Sequence, residues 1–305
     1  MQVVLGAGGA IGNELARELK TYDEKVRLFS RNPQKVNEDD ELFKGDLTNK
    51  QNVENAVKGT SVAYLTVGLP YRALVWERQW PVIMKNVISA CKKYKTKLVF
   101  FDNMYLYDKE KLSPMTEETE INPPSRKGKV RAKIAKMLLD EVLSGEIKAL
   151  IVRAADFYGP GIENSIFNEA ILNNLKKGKN ANWFCATKYK HNFTWTPDAA
   201  KATALLGNTE SAYGQVWHLP TVAAFPVYEW VEKTATTLGV KYKVVVAPKF
   251  LVSLMGMFNP LMREMKEMLY QYDRDYDFDS SKFETVFNMN PTPVEEAMKV
   301  LAKQT

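Results

Sequence analysis

Few stretches restrict a fold as sharply as Val3-Val4-Leu5-Gly6-Ala7-Gly8-Gly9-Ala10-Ile11-Gly12, near the start of this chain. Three apolar residues read as a short buried strand. Glycines at 6, 9 and 12 then pave a turn into a helix whose apolar residues Leu15, Ala16 and Leu19 recur at helical spacing. Each glycine has its own reason. Gly6 lets the chain turn sharply, Gly9 lets the backbone approach a pyrophosphate, and Gly12 lets the helix pack closely on the sheet. Gly8, Ala10 and Ile11 complete the cradle, and the free N–H groups and positive dipole end of the helix favour phosphate. Lys25-Val26-Arg27-Leu28-Phe29 follows as a second strand. This context favours dinucleotide binding over an empty structural turn.

Strands and helices keep alternating. Ser30-Arg31-Asn32 closes the second strand, where a site for NAD would usually place an acid on the ribose hydroxyls. A guanidinium there suits a 2′-phosphate instead, so Arg31 points to NADP over NAD, unless it is a solvated arginine before the Asn32-Pro33 turn. Phe43-Lys44-Gly45-Asp46-Leu47 reads as a third short strand and turn, with Asp46 and Leu47 at the adenine edge, or with Asp46 capping a helix near Thr48. Ser61 to Gly68 is the next buried strand, and Thr66, Val67 and Gly68 fall at its carboxyl end, where open parallel sheets bind ligands. Trp76, Trp80, Ile83, Met84, Val87 and Cys91 then form one helical stripe, read as core or as a two-helix homodimer face. Lys97 to Phe101 is a further strand. It runs into Asp102-Asn103-Met104-Tyr105-Leu106-Tyr107, whose polar and phenolic groups are candidates for chemistry.

With 305 residues, 45% of them hydrophobic, the chain can bury a large core as one domain or two coupled lobes. No apolar run approaches the roughly 20 residues that span a bilayer, and no basic-then-apolar leader precedes the first strand, which points to a cytoplasmic protein with no membrane partner. Cys91 and Cys185 are too few for a disulfide framework and lie in no zinc-ligand spacing. His191 and His218 lack acidic sequence neighbours suited to a metal or a triad, so neither receives a catalytic role. The net charge of +6 is spread along amphipathic segments, which reads as a solvated basic surface rather than a nucleic-acid face. Such a field also favours an anionic ligand.

Several further motifs occur in a telling order: Leu106-Tyr107-Asp108, Arg153 before Phe157-Tyr158-Gly159-Pro160-Gly161, Phe193 to Ala200, Asp279-Ser280-Ser281-Lys282, and Pro291 to Ala297. With the glycine turn, they make the chain resemble the NAD-dependent epimerase/dehydratase family of extended and atypical short-chain dehydrogenases. The resemblance implies an α/β fold, a Rossmann-type doubly wound parallel sheet with a smaller, interleaved C-terminal α+β substrate lobe. The nucleotide domain would cover 1–153, with 193–220 returning to it, and the lobe would cover 154–192 and 221–305. The family's chemistry needs a Tyr-x-x-x-Lys pair and an upstream Ser or Thr: the phenol moves a proton, the lysine lowers its pKa and holds ribose, and the hydroxyl positions substrate. Aligning Lys133 with the family lysine puts Lys129 at the tyrosine position and Asn103 at the Ser/Thr position. Lys129 is then either a base of lowered pKa or an exposed helix residue. Tyr105, Tyr107 and Tyr158 are alternative phenols or packing groups, with Tyr158 the preferred donor.

In the second half, a helix is expected over Ser165 to Lys177, with short aromatic strands at Trp183-Phe184 and His191-Phe193-Trp195. A last large-sheet strand is expected at Gln215 to Leu219, and another strand at Lys243 to Val246. The Met-rich run Leu254 to Phe258, with Met262, Met265 and Met268, reads as core packing in preference to a lipid-like or aglycone-binding pocket. Two functions lead, and a third, an RNA-binding relative of the family, is suggested only by the basic pI. One is an NADP-dependent oxidoreductase or epimerase/dehydratase-like enzyme acting on a sugar or other small hydroxyl or carbonyl compound. The other is a non-catalytic redox sensor resembling the NmrA-like proteins, favoured by the missing tyrosine.

Overall fold

In the computed structural model, residues 1–22, 25–162 and 165–303 are described. The chain divides into two compact units. The first comprises Met1–Leu106, Lys127–Arg153 and Ala199–Leu219; the second comprises Tyr107–Arg126, Ala154–Asp198 and the chain from Pro220 onward. The segment 107–126, read from sequence as part of the nucleotide domain, therefore groups with the second unit.

The first unit is built on a seven-stranded sheet. Its strands are β1 (Gln2–Leu5), β2 (Val26–Ser30), β3 (Glu41–Lys44), β4 (Val62–Leu65), β5 (Lys97–Asn103), β6 (Ala149–Ala154) and a strand at Val216–His218, called β11 in chain order after β7–β10 below. The order across the sheet is β11-β6-β5-β4-β1-β2-β3. The pairs β1–β2, β1–β4, β2–β3, β4–β5 and β6–β11 run parallel. Strands β1 and β4 are buried at every position. That explains their unbroken apolar runs, because a sheet covered on both faces needs no polar alternation. The third strand, Glu41–Lys44, ends where Gly45 begins the turn, as its sequence suggested. A side chain on Gly45 would meet the Phe29 ring at 2.6 Å.

Helices α1 (Ala10–Leu19), α2 (Lys50–Val57), α3 (Ala73–Tyr94) and α4 (Arg126–Leu143) connect these strands. The stripe on α3 lies wholly within the core: Trp76, Trp80, Ile83, Met84, Val87 and Cys91 are all buried by the chain itself. It therefore offers no exposed face for a two-helix dimer. Burial pushes the Cys91 thiol well up, so this cysteine packs as a small hydrophobe.

The second unit holds β7 (Asp156–Tyr158), β8 (Ala181–Phe184), β9 (Lys190–His191), β10 (Phe193–Trp195), β12 (Phe225–Pro226) and β13 (Val244–Ala247). They form three two-stranded sheets: β7–β10 and β8–β13 are parallel, β9–β12 antiparallel. The helix expected after Ser165 begins with a π-helical stretch, Asn168–Leu172, and ends as α5 (Asn173–Lys176). Helix α6 (Thr196–Gly207) follows β10, and α7 (Val227–Leu238), α8 (Lys249–Met255), α9 (Pro260–Lys266), α10 (Ser281–Phe287) and α11 (Val294–Ala302) complete the chain. The core of this unit is aromatic, with Tyr158, Phe167, Trp183, Phe193 and Trp230 buried together. The Met-rich run is split: Met268 is buried, and Met262 and Met265 pack against the core as expected, but the first part of the run does not. Leu254, Met255, Met257 and Phe258 are exposed rather than packed in a core. No described helix is long and apolar enough to cross a membrane.

Candidate functional site

The carboxyl ends of β1, β4 and β5 are adjacent in the sheet, and the chain leaves them at Gly6, Thr66 and Asn103. At the first end, Gly6 has φ +115°, and a side chain there would lie 2.4 Å from Val67 Cα, so only glycine fits. Gly12 is held almost as closely: its added Cβ would meet Gly6 O at 2.9 Å and Thr66 Oγ1 at 3.4 Å. Gly8 and Gly9 are different. Both are exposed, and a Cβ on Gly8 would meet nothing within 4 Å, while one on Gly9 would meet only Gly6 O at 3.9 Å. The turn is thus tight where it touches the sheet and open above it.

That opening suits a pyrophosphate. Helix α1 starts behind Gly9, which has no side chain to cap it, so first-turn N–H groups are available to an anion. Gly8 N–H donates to Asn13 Oδ1 at 3.1 Å, which steadies the loop. Beside the turn, Thr66 Oγ1 is buried with no hydrogen-bond partner among the described residues. An orphaned hydroxyl at the floor of an open glycine cradle is what a bound polar ligand would satisfy.

On the other side of β1, Ser30 ends β2 and Arg31 follows it, and Gly45 N–H donates to Ser30 O at 3.0 Å. Arg31 is exposed. Asp46 makes a tight turn in which Oδ1 accepts from the N–H and Oγ1 of Thr48, both at 2.7 Å. These bonds, with Arg31 nearby, hold its carboxyl below the usual range. It is Asn49, not Asp46, that caps α2, its side chain accepting from Asn52 N–H at 3.0 Å. Leu47 is buried beside it.

On helix α4 the expected pair Lys129 and Lys133 does not lie on the buried face. Its buried face carries Lys127, Gly128, Val130, Arg131, Ile134, Ala135 and Leu138, whereas Lys129 and Lys133 are exposed on the opposite side. Residues two apart on a helix face different directions, so a register error of two exchanges the two faces. Lys127 and Arg131 have the same i,i+4 spacing as Lys129 and Lys133, and the phase of Ile134 and Leu138 was the sequence signal that distinguished them. The Lys127 side chain is fully buried, with Nζ 4.4 Å from the centroid of the Tyr71 ring. Arg131 lies over Trp80 at 4.5 Å and donates through Nε to Asp102 Oδ1 at 2.6 Å; Arg153 Nε approaches Asp102 Oδ2 at 3.3 Å.

Asn103, at the end of β5, is half-buried, and its Oδ1 accepts from Tyr105 N–H at 3.1 Å. Its amide NH2 is therefore the group it can offer a ligand. Tyr105 stacks on Trp76, and Tyr107 is buried. Tyr158 is not placed as a proton donor. Its side chain is wholly buried, 5.4 Å from Phe167, 5.0 Å from Trp195 and 5.4 Å from Trp230 between ring centroids, and burial pushes its phenol far up. Its φ +157° neighbour Gly159 leaves no room for a side chain, which would sit 2.0 Å from Thr196 Oγ1.

One pairing in the second unit escaped the sequence. His191 Nε2 lies 3.0 Å from Asp156 Oδ2, although 35 residues separate them. The imidazole is stacked 4.3 Å from Tyr276 and 5.6 Å from Tyr272. Among the described residues no group of three or more His, Cys, Asp or Glu could hold a metal.

The model of the NAD dependent epimerase/dehydratase family matches residues 2–218. An uncharacterised protein of Sinorhizobium fredii is 23% identical over 219 residues, which are 68% of this chain but 53% of that protein; the chain spans about half the length of this curated relative. Among solved structures, the UDP-glucose 4-epimerase of Thermus thermophilus, in complex with NAD, matches with a TM-score of 0.79 at 17% identity, covering 99% of this chain and 98% of that one. A dTDP-glucose 4,6-dehydratase of Streptomyces venezuelae, with NAD bound, gives 0.79 at 14% identity, covering 99% and 96%. At such identities these structures support the fold alone.

Proposed function

Because the chain belongs to the NAD-dependent epimerase/dehydratase family, we propose that it is an NADP(H)-dependent oxidoreductase acting on a sugar or another small hydroxyl or carbonyl compound. The observation that carries the reading is the buried face of α4, where Lys127 and Arg131 keep the family's Tyr-x-x-x-Lys spacing with two cations. Gly6, Gly8, Gly9, Ala10, Ile11 and Gly12 hold the pyrophosphate, Asp46 and Leu47 border the adenine, and Thr66, Val67 and Gly68 border the nicotinamide half. Arg31 takes the 2′-phosphate, since no carboxylate stands at the end of β2 to hold both ribose hydroxyls. The dinucleotide supplies or accepts hydride when bound.

This chain's own residues manage charge and the proton. As negative charge develops on the substrate oxygen during reduction, the Lys127 ammonium donates to that oxygen and gives up a proton; in oxidation it takes the proton back. The Asn103 NH2 orients the same oxygen. Arg131 moves no proton, because its guanidinium does not deprotonate and is bound to Asp102. It stays fixed between Asp102 and the Trp80 ring. Similar folds are named for UDP-glucose and dTDP-glucose enzymes, which makes keto-sugars the first compounds to try.

The test is NADPH oxidation across a panel of aldehydes, ketones and keto-sugars. Lys127→Met should lower kcat by about a hundredfold or more, the usual scale of a lost general acid, while Lys133→Met leaves it unchanged. Full activity in Lys127→Met would remove the mechanism. The locked Arg131–Asp102 pair also favours a second reading, a redox sensor without turnover. Such a protein would bind NADP+ and NADPH with different affinities and oxidise neither substrate nor cofactor.

A further inference from the structure

The hairpin formed by α8 and α9 presents an apolar tip to solvent. From Phe250 to Met262 there is no charged residue, and within this run Phe258 is 83% and Phe250 72% exposed, with Leu254, Met257 and Leu261 also exposed. Isolated exposed apolar residues are ordinary on a protein surface, but a contiguous group of large ones marks a contact surface. The tip is well built. Gly256 allows close approach to Arg263, a Cβ there lying 3.3 Å from Arg263 Cα, and Arg263 Nε donates to Gly256 O. Asn259 caps α9, its Oδ1 accepting from Leu261 N–H at 2.8 Å. Val252 faces inward and anchors the hairpin.

Charge identifies the occupant. Between residues 241 and 267 the sequence carries Lys241, Lys243, Lys249, Arg263 and Lys266 against two half-buried acids, Glu264 and Glu267, of which Glu267 accepts from Arg126 N–H. All five cationic residues are exposed, although Lys249 also pairs with Asp273 at 2.7 Å. A second copy docking symmetrically would set this excess of cations against itself. An anionic bilayer accepts both parts at once, the Phe and Met side chains entering the acyl boundary while the lysines and arginine stay among the headgroups. We propose that the α8–α9 hairpin docks the protein on the surface of an anionic membrane. The hairpin rests on the surface and does not span the bilayer.

Flotation of the full chain with vesicles tests this, using phosphatidylcholine alone and equal parts phosphatidylcholine and phosphatidylserine. Binding is expected only with phosphatidylserine, falling as salt rises. Phe258→Glu should weaken it about tenfold or more and Phe258→Leu should retain it, with both melting as wild type does. Failure to bind either vesicle overturns the proposal. So does binding that Phe258→Glu leaves intact. Light scattering that shows a dimer dissociated by Phe258→Glu, without vesicle binding, would assign the tip to a second copy and likewise overturn it.

Discussion

Arg131 Nε lies 2.6 Å from Oδ1 of Asp102, with the two side chains only 4% and 0% exposed. Asp102 also meets Arg153, so one buried carboxylate serves two buried guanidinium groups. Truncating the shared acid removes the carboxylate that faces both cations. Asp102→Ala should cost roughly 3–5 kcal/mol, the usual range for leaving a buried charge uncompensated. Arg131→Met should cost less, because Arg153 still faces Asp102 and the methionine fills the space over Trp80. Urea denaturation with unchanged slope reads both values, and equal costs would mean that the shared acid is not the centre of the network.

The glycine turn separates folding from binding. Gly6→Ala should destabilise severely, since its side chain would sit on the Val67 backbone at positive φ. Gly9→Ala should melt as wild type does, because its Cβ finds open space, yet it should weaken dinucleotide binding about tenfold or more by filling the approach to the pyrophosphate. Calorimetric titration beside a thermal melt distinguishes the two. Equal dinucleotide affinity in Gly9→Ala would place the pyrophosphate elsewhere.

A surface network gives a pH signature. Glu210 accepts hydrogen bonds from Lys148 and, at 2.8 Å, from Lys97, which hold its carboxyl at about 2 against an ordinary 4.5. A depressed folded-state pKa means stabilisation that is complete above 4.5 and lost as pH falls towards 2. The stability difference between wild type and Glu210→Gln should therefore shrink through that window, and it should shrink at neutral pH when salt is raised. A difference independent of pH would rule out the ion pairs as its source.

The fold was legible because the relevant signals are local. Buried runs at β1 and β4 and the glycines between β1 and α1 are set by nearest neighbours in sequence. What failed depended on phase or on distant partners. On α4 a lysine occurs at 127, 129 and 133, so spacing alone could not choose between two faces; the apolar residues Ile134 and Leu138 could. The aromatic residues around Tyr158 come from Phe167, Trp195 and Trp230, and no local pattern announces that they pack about its ring. Asp156 and His191 meet through the strands β7, β9 and β10, beyond the reach of any motif. The Leu254 to Phe258 run looked like core because apolar composition says nothing about whether the rest of the chain covers it.

The most direct measurement is a set of four dissociation constants, for NADP+, NADPH, NAD+ and NADH, on wild type and Arg31→Ala. Tighter binding of the 2′-phosphorylated pair, with about a tenfold or greater loss confined to that pair in Arg31→Ala, is the expected result, on the scale of a charge-assisted contact to phosphate. Absence of binding by all four would contradict the dinucleotide site itself. Tighter binding of NAD+ and NADH, unchanged by Arg31→Ala, would keep the cradle and overturn the assignment of Arg31.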